Sequence, residues 1–332
     1  MDYRRLTAGL PSVGGRLKDC PEHFVVEEIP LYQPQGDGPH LYLTLRRSGL
    51  TTRQMTDELA RCYSVPANAI GYAGLKDKEA VTTQTFSLPV TIDEEEARRR
   101  SVGAPWEVLN VSRHQNKLKV GHLLGNRFTI ILSEPSGELA EALAISARLK
   151  ETGVPNYFGQ QRFGKDGDNF ALGLAVLKSG RKPRSWRDKF LLSSLQSFIY
   201  NHYLSKRIDL GLFTKTVSGD ICKKYATGGL FTSEDEAAET ARLQAGELSH
   251  TGPIFGAKMI KPLGDAAELE AKILAELDLT IEELAGAGVG DRRANRLLIP
   301  DLDICQAEEG LRLCFSLPKG AYATTVVREF SG

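Results

Sequence analysis

Strand-like segments lie at both ends of this chain, while helix-like segments fill its middle. Apolar and β-branched residues recur with strand spacing at residues 24–29, 41–46, 81–86 and 127–132, and again at residues 310–317. Such patterns predict β-strands, and the late strand needs partners to be stable. The strands of the first half of the chain are the best candidates for these partners. The sequence therefore predicts one mixed, largely antiparallel sheet built from both ends of the chain, with the middle inserted between them.

The predicted insertion begins near Val154, where the pattern changes from strands to helices. The apolar spacing predicts helices at residues 169–179, 190–210, 234–245, 266–277 and 281–285. We therefore expect an α+β protein of two domains. The first consists of residues 1–153 and 301–332, and the second, mainly helical, consists of residues 154–300.

Three further predictions depend on short local patterns. Residues 118–120 predict a strand. Residues 291–296 (DRRANR) predict the start of a helix capped by Asp291, whose three arginines either contact phosphates or form a solvated face. After a turn at residues 318–320, residues 322–328 predict a last strand that forms a hairpin with residues 310–317.

Charge is distributed unevenly along a chain whose formal net charge is zero. Residues 151–230 carry 13 Lys and Arg against 6 Asp and Glu, a net charge of +7. Residues 231–290 carry 4 against 12, a net charge of −8. A basic block is the minimum needed to attract a polyanion. Many proteins without such a partner also have one, so this feature alone does not assign a function.

The cysteines and the N-terminal sequence indicate a cytoplasmic protein. The five cysteines are widely spaced and form no C-x-x-C pair, as expected for reduced thiols rather than for a disulfide framework or a zinc site. The chain has no apolar leader and no run of 18 apolar residues. We therefore expect neither a signal peptide nor a membrane span.

Asp77 is the first candidate for chemistry. It stands between Lys76 and Lys78 in a glycine-containing bend, residues 74–78 (GLKDK), that joins two apolar runs. Nearby positive charge keeps a carboxylate ionised, and an ionised, positioned Asp can act as a nucleophile or a general base. The same residues are also typical of an ordinary surface turn, and local chemistry alone favours that interpretation.

Residues 155–164 (PNYFGQQRFG) form the second unusual segment. Three aromatic residues, two glutamines, an Arg and an Asn lie within ten residues, in a pattern of neither a regular strand nor a regular helix. Aromatic rings interleaved with amides and Arg suit stacking on bases and contact with phosphates. An aromatic junction between two domains is an equally good interpretation of these residues.

Together these segments resemble the tRNA pseudouridine synthase D family. The resemblance covers residues 24–329, and its motifs occur in the same order and at matching distances. They are residues 73–78 (AGLKDK), Thr83 and Gln84, residues 125–128 (GNRF), residues 154–164 (VPNYFGQQRFG) and residues 317–329 (LPKGAYATTVVRE).

The resemblance implies an isomerase that converts a uridine in folded tRNA to pseudouridine, at position 13 in the D arm. It implies a pseudouridine synthase-type catalytic domain interrupted by a family-specific insertion, with tRNA as partner, no cofactor and no metal. Because the target base lies within folded RNA, it must be extruded into a pocket. We further expect a monomer.

Residue by residue, the resemblance places Asp77 on the catalytic aspartate and Lys18 on the basic residue that pairs with it. Lys76 and Arg328 are reserve candidates for that partner. Phe24, Asn126 and Tyr322 fall on substrate-contacting positions, and Phe128 falls on the aromatic residue that stacks against the target base. Position 322 is Tyr where well-known members have Phe, and Leu75 is Gln in some members.

Two alternatives remain open at this point. An RNA-binding module without catalysis would share the basic block and the aromatic segment, and only Asp77 distinguishes it. An RNA glycosidase would need a second carboxylate as acid, and Glu27, Glu28 and Glu79 are the nearby candidates.

Overall fold

A computed structural model describes residues 3–332 of the protein. Its strands are β1 (Arg16–Leu17), β2 (Phe24–Pro30), β3 (His40–Arg47), β4 (Gly71–Tyr72), β5 (Val81–Leu88), β6 (Trp106–His114), β7 (Leu123–Ser133), β8 (Val154–Pro155), β9 (Ile221–Lys224), β10 (Leu230–Thr232), β11 (Leu248–Ile254), β12 (Asp291–Ala294), β13 (Arg296–Leu297), β14 (Asp303–Ala307) and β15 (Gly310–Pro318). Its α-helices are α1 (Thr52–Tyr63), α2 (Glu94–Arg100), α3 (Leu139–Thr152), α4 (Asn169–Lys178), α5 (Trp186–Asp209), α6 (Glu236–Gln244), α7 (Gly264–Glu276), α8 (Ile281–Ala285) and α9 (Ala323–Ser331).

The main sheet joins the two ends of the chain, as the sequence predicts. Its order is β14-β15-β7-β2-β5-β3-β6, with β1 added to β7 and β4 added to β5. β2 and β5 pair in parallel, and the other pairs are antiparallel. β15 lies along β7 from Gly310 opposite Ser133 to Pro318 opposite Gly125.

Helices α1, α2, α3 and α9 pack against one face of this sheet. Phe128 of β7 and Phe315 of β15 are buried together with Ile145 of α3 and Val326 of α9. Farther along the same face, β3 and β5 pack against the apolar side chains of α1, a helix capped by Thr51. The opposite face carries exposed charged side chains, among them Arg46 and Arg127. This is the alternation expected of an antiparallel sheet with one solvated face.

Between these two packed regions, the covered face carries a strip of polar side chains. Glu28 lies opposite Asn126 across the β2–β7 pair, and Gln84 of β5 is completely buried. Buried polar groups need hydrogen-bond partners, and several of these contact the bend that contains Asp77.

The inserted region contains the predicted helices α4 to α8 and also a sheet that the sequence did not predict, ordered β10-β9-β11-β12. The chain enters this region at β8 and leaves it at β13, and these two strands pair with each other. The two crossing points therefore lie side by side. The division at residues 153/154 and 300/301 stays a prediction, and its residues 1 and 2 lie outside the described part of the chain.

Three of the local predictions are wrong. Residues 118–120 form no strand, and residues 323–331 form helix α9, so the partner of β15 in its hairpin is β14. An apolar face of Val326, Val327 and Phe330 explains the error, because this helix packs that face onto the sheet. Residues 291–294 form strand β12 rather than a helix.

Two of the three arginines in residues 291–296, Arg292 and Arg296, are neither solvated nor free for phosphates. Arg292 is 2% exposed and forms an ion pair with Glu270 at 2.7 Å. Arg296, also 2% exposed, donates to the backbone carbonyls of Leu243 and Glu151. Partners that are distant in the sequence therefore hold these two cations in the interior, which a local charge pattern does not reveal.

Gly125→Ala tests the close approach of β7 and β15. A Cβ at Gly125 would lie 2.0 Å from the carbonyl oxygen of Leu317, so the two strands would have to separate. We expect the free energy of unfolding to fall by about 1–3 kcal/mol, as measured by urea denaturation. Gly9→Ala is the control, because a Cβ there meets no described atom within 4 Å. Equal stability of the two variants would contradict this packing.

Because His250 is buried, we expect the free energy of unfolding to fall in acid. Its Nε2 lies 2.8 Å from the carbonyl oxygen of Phe213 and its Nδ1 lies 2.7 Å from Asn295 Nδ2, which a neutral ring satisfies by donating to one and accepting from the other. Burial, assisted by Arg207, lowers the pKa of His250 to about 3.

The unfolded chain binds this proton below a pH of about 6.5, while the folded chain does not. The contribution of His250 to stability is therefore complete above that pH and lost as pH falls. We expect a loss of about 2 kcal/mol between pH 6.5 and 5 from this group. Urea unfolding at several pH values measures it, and His250→Gln should flatten the slope. An unchanged slope would show that His250 is not the group responsible.

Candidate active site

Asp77 lies in the bend between β4 and β5, and the bend is fixed on both sides of it. Gln84 Nε2 donates to the carbonyl oxygen of Gly74 at 2.5 Å. The backbone N–H of Lys76 donates to Thr52 Oγ1 at 2.9 Å. These bonds come from β5 and from the first residue of α1, so regular elements hold the backbone that positions the carboxylate.

The Lys76 side chain turns away from Asp77 and into the protein. Its Nζ lies 2.7 Å from Glu28 Oε2, and both side chains are 4% exposed. Removing one member of such a buried pair leaves the other charge uncompensated. Lys76 thus anchors the bend to β2, and it is not the cation that holds Asp77.

Lys18 is that cation. Its Nζ forms an ion pair and hydrogen bond with Asp77 Oδ2, and its backbone has a left-handed φ of 64°. The other carboxylate oxygen, Oδ1, accepts from the backbone N–H of Glu79 at 3.1 Å. Arg328, the second reserve candidate, donates to the carbonyl oxygen of Tyr3.

These contacts keep Asp77 ionised. Partial burial by itself raises the pKa of Asp77, but the hydrogen bond and charge of Lys18 and the backbone N–H groups of Glu79 and Lys78 outweigh it, so the pKa lies below its usual value. At neutral pH the group is therefore a carboxylate that can attack or accept a proton.

An aromatic cluster lies next to this ion pair. Lys18 Nζ is 4.5 Å from the ring centroid of Phe24. Phe24 packs edge-on against Phe128 at 6.1 Å, and Phe128 stacks on Phe315 at 5.6 Å. The structure thus brings together Asp77, Lys18, Phe24 and Phe128. Phe128 is 7% exposed, because its neighbours already cover most of its ring.

Asn126 lies at the polar strip beside Glu28. Within the described part of the chain, its Oδ1 is buried and has no hydrogen-bond partner. An unsatisfied buried acceptor is costly. Asn126 therefore offers a free acceptor beside the aromatic cluster, where a ligand with a donor group would satisfy it.

Tyr322 is connected to Asp77 through the aromatic segment of the insertion. Its ring is 6.1 Å from that of Phe158. Three residues later in this segment, Gln161 Nε2 lies 3.4 Å from Asp77 Oδ2. The segment therefore contacts Tyr322 near one end and the carboxylate near the other.

Four contacts at this site were not predicted from the sequence. Thr52 and Gln84 fix the bend, Glu28 holds Lys76, and Gln161 reaches Asp77. Gln84 and Gln161 belong to segments that carry the family resemblance, and this signal could have identified them. Glu28 and Thr52 gave no such signal, because their residue types are ordinary for a strand and for the N-terminal end of a helix.

Two hollows border the site. One, of about 750 Å³, lies between α9 and residues 157–167, and Gln161 and Leu17 are among its lining residues. The other, of about 380 Å³, is lined by Lys18, Lys78 and Glu79. The larger volume is within the range of small-molecule sites. No helix within residues 3–332 is both long and apolar enough to cross a membrane.

Comparison with known proteins supports the family resemblance. The family model described as tRNA pseudouridine synthase D (TruD) matches residues 1–186 and 183–330. The tRNA pseudouridine synthase D of Anaeromyxobacter dehalogenans (strain 2CP-C) is 45% identical over 340 residues, covering 99% of this chain and 96% of that protein. That of Thermus thermophilus is 44% identical over 330 residues, covering 98% of this chain and 91% of that protein.

A crystal structure of a protein from Methanosarcina mazei, assigned to the same family, matches with a TM-score of 0.83. The match covers 100% of this chain and 96% of that protein at 23% sequence identity. This structural similarity shows the fold. The family model and the close relatives span nearly the whole chain. The chain therefore belongs to the tRNA pseudouridine synthase D family of isomerases.

Proposed function

We propose that the protein converts uridine 13, in the D arm of tRNA, to pseudouridine, with Asp77 as the catalytic carboxylate. The observation that carries this proposal is the ionised Asp77, held by Lys18 beside the Phe24–Phe128 cluster on a rigid bend. Membership of the family supports the reaction class. The target position and the roles of individual residues are part of the proposal.

The reaction needs a carboxylate but no change of oxidation state. The bond between the uracil nitrogen and the sugar C1′ breaks, the base turns, and a carbon–carbon bond forms through C5. Asp77 either attacks C1′ or removes a ribose proton to give a glycal, and either step requires the ionised form. Lys18 maintains that form in a partly buried position.

The remaining predicted residues serve the extruded nucleotide. Phe24 and Phe128 offer apolar surface for uracil, and base–aromatic stacking contributes about 1–3 kcal/mol. Because Phe128 is 7% exposed, stacking on it requires covering side chains such as Phe24 to move. Asn126 presents its unpaired Oδ1 to a donor on the base or ribose, and Tyr322 contacts the substrate from the start of α9.

A glycosidase would need an available second carboxylate. Glu28 is committed to Lys76 in the buried ion pair. Glu27 is exposed and occupies a β2 position whose side chain points to the opposite face of the sheet from Glu28. Glu79 is exposed on the bend. This arrangement favours isomerisation.

Asp77→Asn tests the proposal directly. The amide keeps the shape of the side chain but can neither attack nor accept a proton, so pseudouridine formation should fall below detection while tRNA affinity changes little. Carbodiimide adducts mapped by primer extension on an unmodified tRNA transcript would report the product. A stop next to position 13 with wild type alone is the expected result. Release of free uracil, or binding without any product from wild type, would contradict the proposal.

Lys18→Met tests how Asp77 is kept ionised. Without the ammonium group, burial should raise the pKa of Asp77, so activity on the acid side should begin to fall at a higher pH than in wild type. The pH dependence of the single-turnover rate measures this shift. Lys78→Met is the matched control, because the exposed Lys78 flanks Asp77 in sequence. If the single-turnover rates of wild type and Lys18→Met fall at the same acidic pH, Lys18 does not keep Asp77 ionised.

A further inference from the structure

Trp186 is a large aromatic residue that the fold leaves in solvent. It is the first residue of α5 and is 78% exposed. Its ring stacks on that of Phe190, one helical turn later, at 5.3 Å and an interplanar angle of 11°. Residues four apart on a helix are neighbours, so Phe190 fixes the orientation of the indole. The exposure shows that much of the ring surface remains available to a partner.

The charge around Trp186 is strongly positive. Residues 181–189 contain five cations, and Asp188 is the single acid among them. Asp188 lies 3.4 Å from Arg181. Within the described residues, no carboxylate pairs with Lys182, Arg184, Arg187 or Lys189, and all four residues are exposed. These cations and Trp186 form what we term the α5 platform, which comprises Lys182, Arg184, Trp186, Arg187 and Lys189.

A series of cation–ring and ring–ring contacts connects the α5 platform to the candidate active site. The Arg162 guanidinium lies 5.5 Å from the ring centroid of Phe190 and 5.9 Å from that of Phe158. Phe158 contacts Tyr322 at 6.1 Å. Arg162 is itself held by hydrogen bonds to Ser193 and Ser197 of α5. The platform is therefore connected by direct contacts to the segment that reaches Asp77.

We propose that the α5 platform binds an unpaired base of the substrate RNA, one that stacks on Trp186 while the surrounding cations contact the flanking phosphates. This base is distinct from the uridine that reacts. The inference rests on the proposed function, because it takes RNA as the substrate. An exposed indole among unpaired cations matches the way proteins bind single-stranded RNA, in which rings stack on bases and cations follow the backbone.

Fluorescence offers a direct test, because the chain has two tryptophans. The other, Trp106, is buried at 9% exposure beside Ser101, so Trp106→Phe leaves Trp186 as the single indole. Titration of this variant with unmodified tRNA transcript should quench the fluorescence of Trp186, saturating at the Kd measured by filter binding. Binding without any change in fluorescence would overturn the inference.

Substitutions supply the second test. Trp186→Ala should weaken tRNA binding by about 5- to 100-fold, the range expected for loss of one stacked base. The single-turnover rate at saturating tRNA should stay unchanged, and Trp186→Phe should restore most of the affinity. Lys182→Ala with Arg184→Ala should weaken binding and reduce its salt dependence. Lys258→Ala with Lys272→Ala is the control for charge, because both residues are exposed and lie elsewhere in the insertion.

The outcomes separate this inference from the proposed function. If wild type forms pseudouridine while the Trp186 variants bind tRNA normally, the inference fails and the function stands. If wild type neither binds nor modifies tRNA, both fail. If Trp186→Ala instead abolishes a concentration-dependent increase in mass, the surface binds a second copy of the chain, and the inference is again overturned.

Discussion

The pairing of β7 with β15 is the constraint on which the rest of the structure depends. It runs from Ser133 opposite Gly310 to Gly125 opposite Pro318 and closes the chain on itself around the insertion. β7 also pairs with β2, so one strand aligns the late part of the chain with the early part. The absence of a side chain at Gly125 permits this contact beside Asn126. Without it, α9 would lose the sheet surface that buries its apolar face.

On this scaffold, two ion pairs have separate tasks. The Glu28–Lys76 pair is almost fully buried and anchors the bend to β2. The Lys18–Asp77 pair is partly exposed and determines the protonation state of the carboxylate. The difference in burial suits the two tasks, because an anchor gains from being excluded from water, whereas a reacting group must remain accessible to substrate.

The insertion is connected to the site by side chains rather than by the main sheet. Gln161 reaches Asp77, and Arg293 donates to Asn156 and to the carbonyl oxygen of Gly320, close to Tyr322. Arg293 also lies 4.1 Å from the ring centroid of Phe158. A displacement of the insertion would therefore change the surroundings of Asp77 and Tyr322 together. Two interpretations of the aromatic segment were open, namely contact with RNA and a junction between two domains. They are compatible, because the segment forms a junction and also faces the site.

The sequence by itself determined strands β2, β3, β5, β7 and β15 of the main sheet, the helices of the insertion, the family and the bend that carries Asp77, because apolar periodicity and motif order are local properties. It did not determine α9, whose β-branched residues favour a strand until packing on the sheet selects a helix. It left the partner of Asp77 open among Lys18, Lys76 and Arg328, because three cationic side chains are equivalent until the fold positions them. Only the tertiary structure assigned Lys76 to Glu28, Lys18 to Asp77, and Arg292 and Arg296 to the interior, since burial and ion pairing depend on residues far apart in the chain.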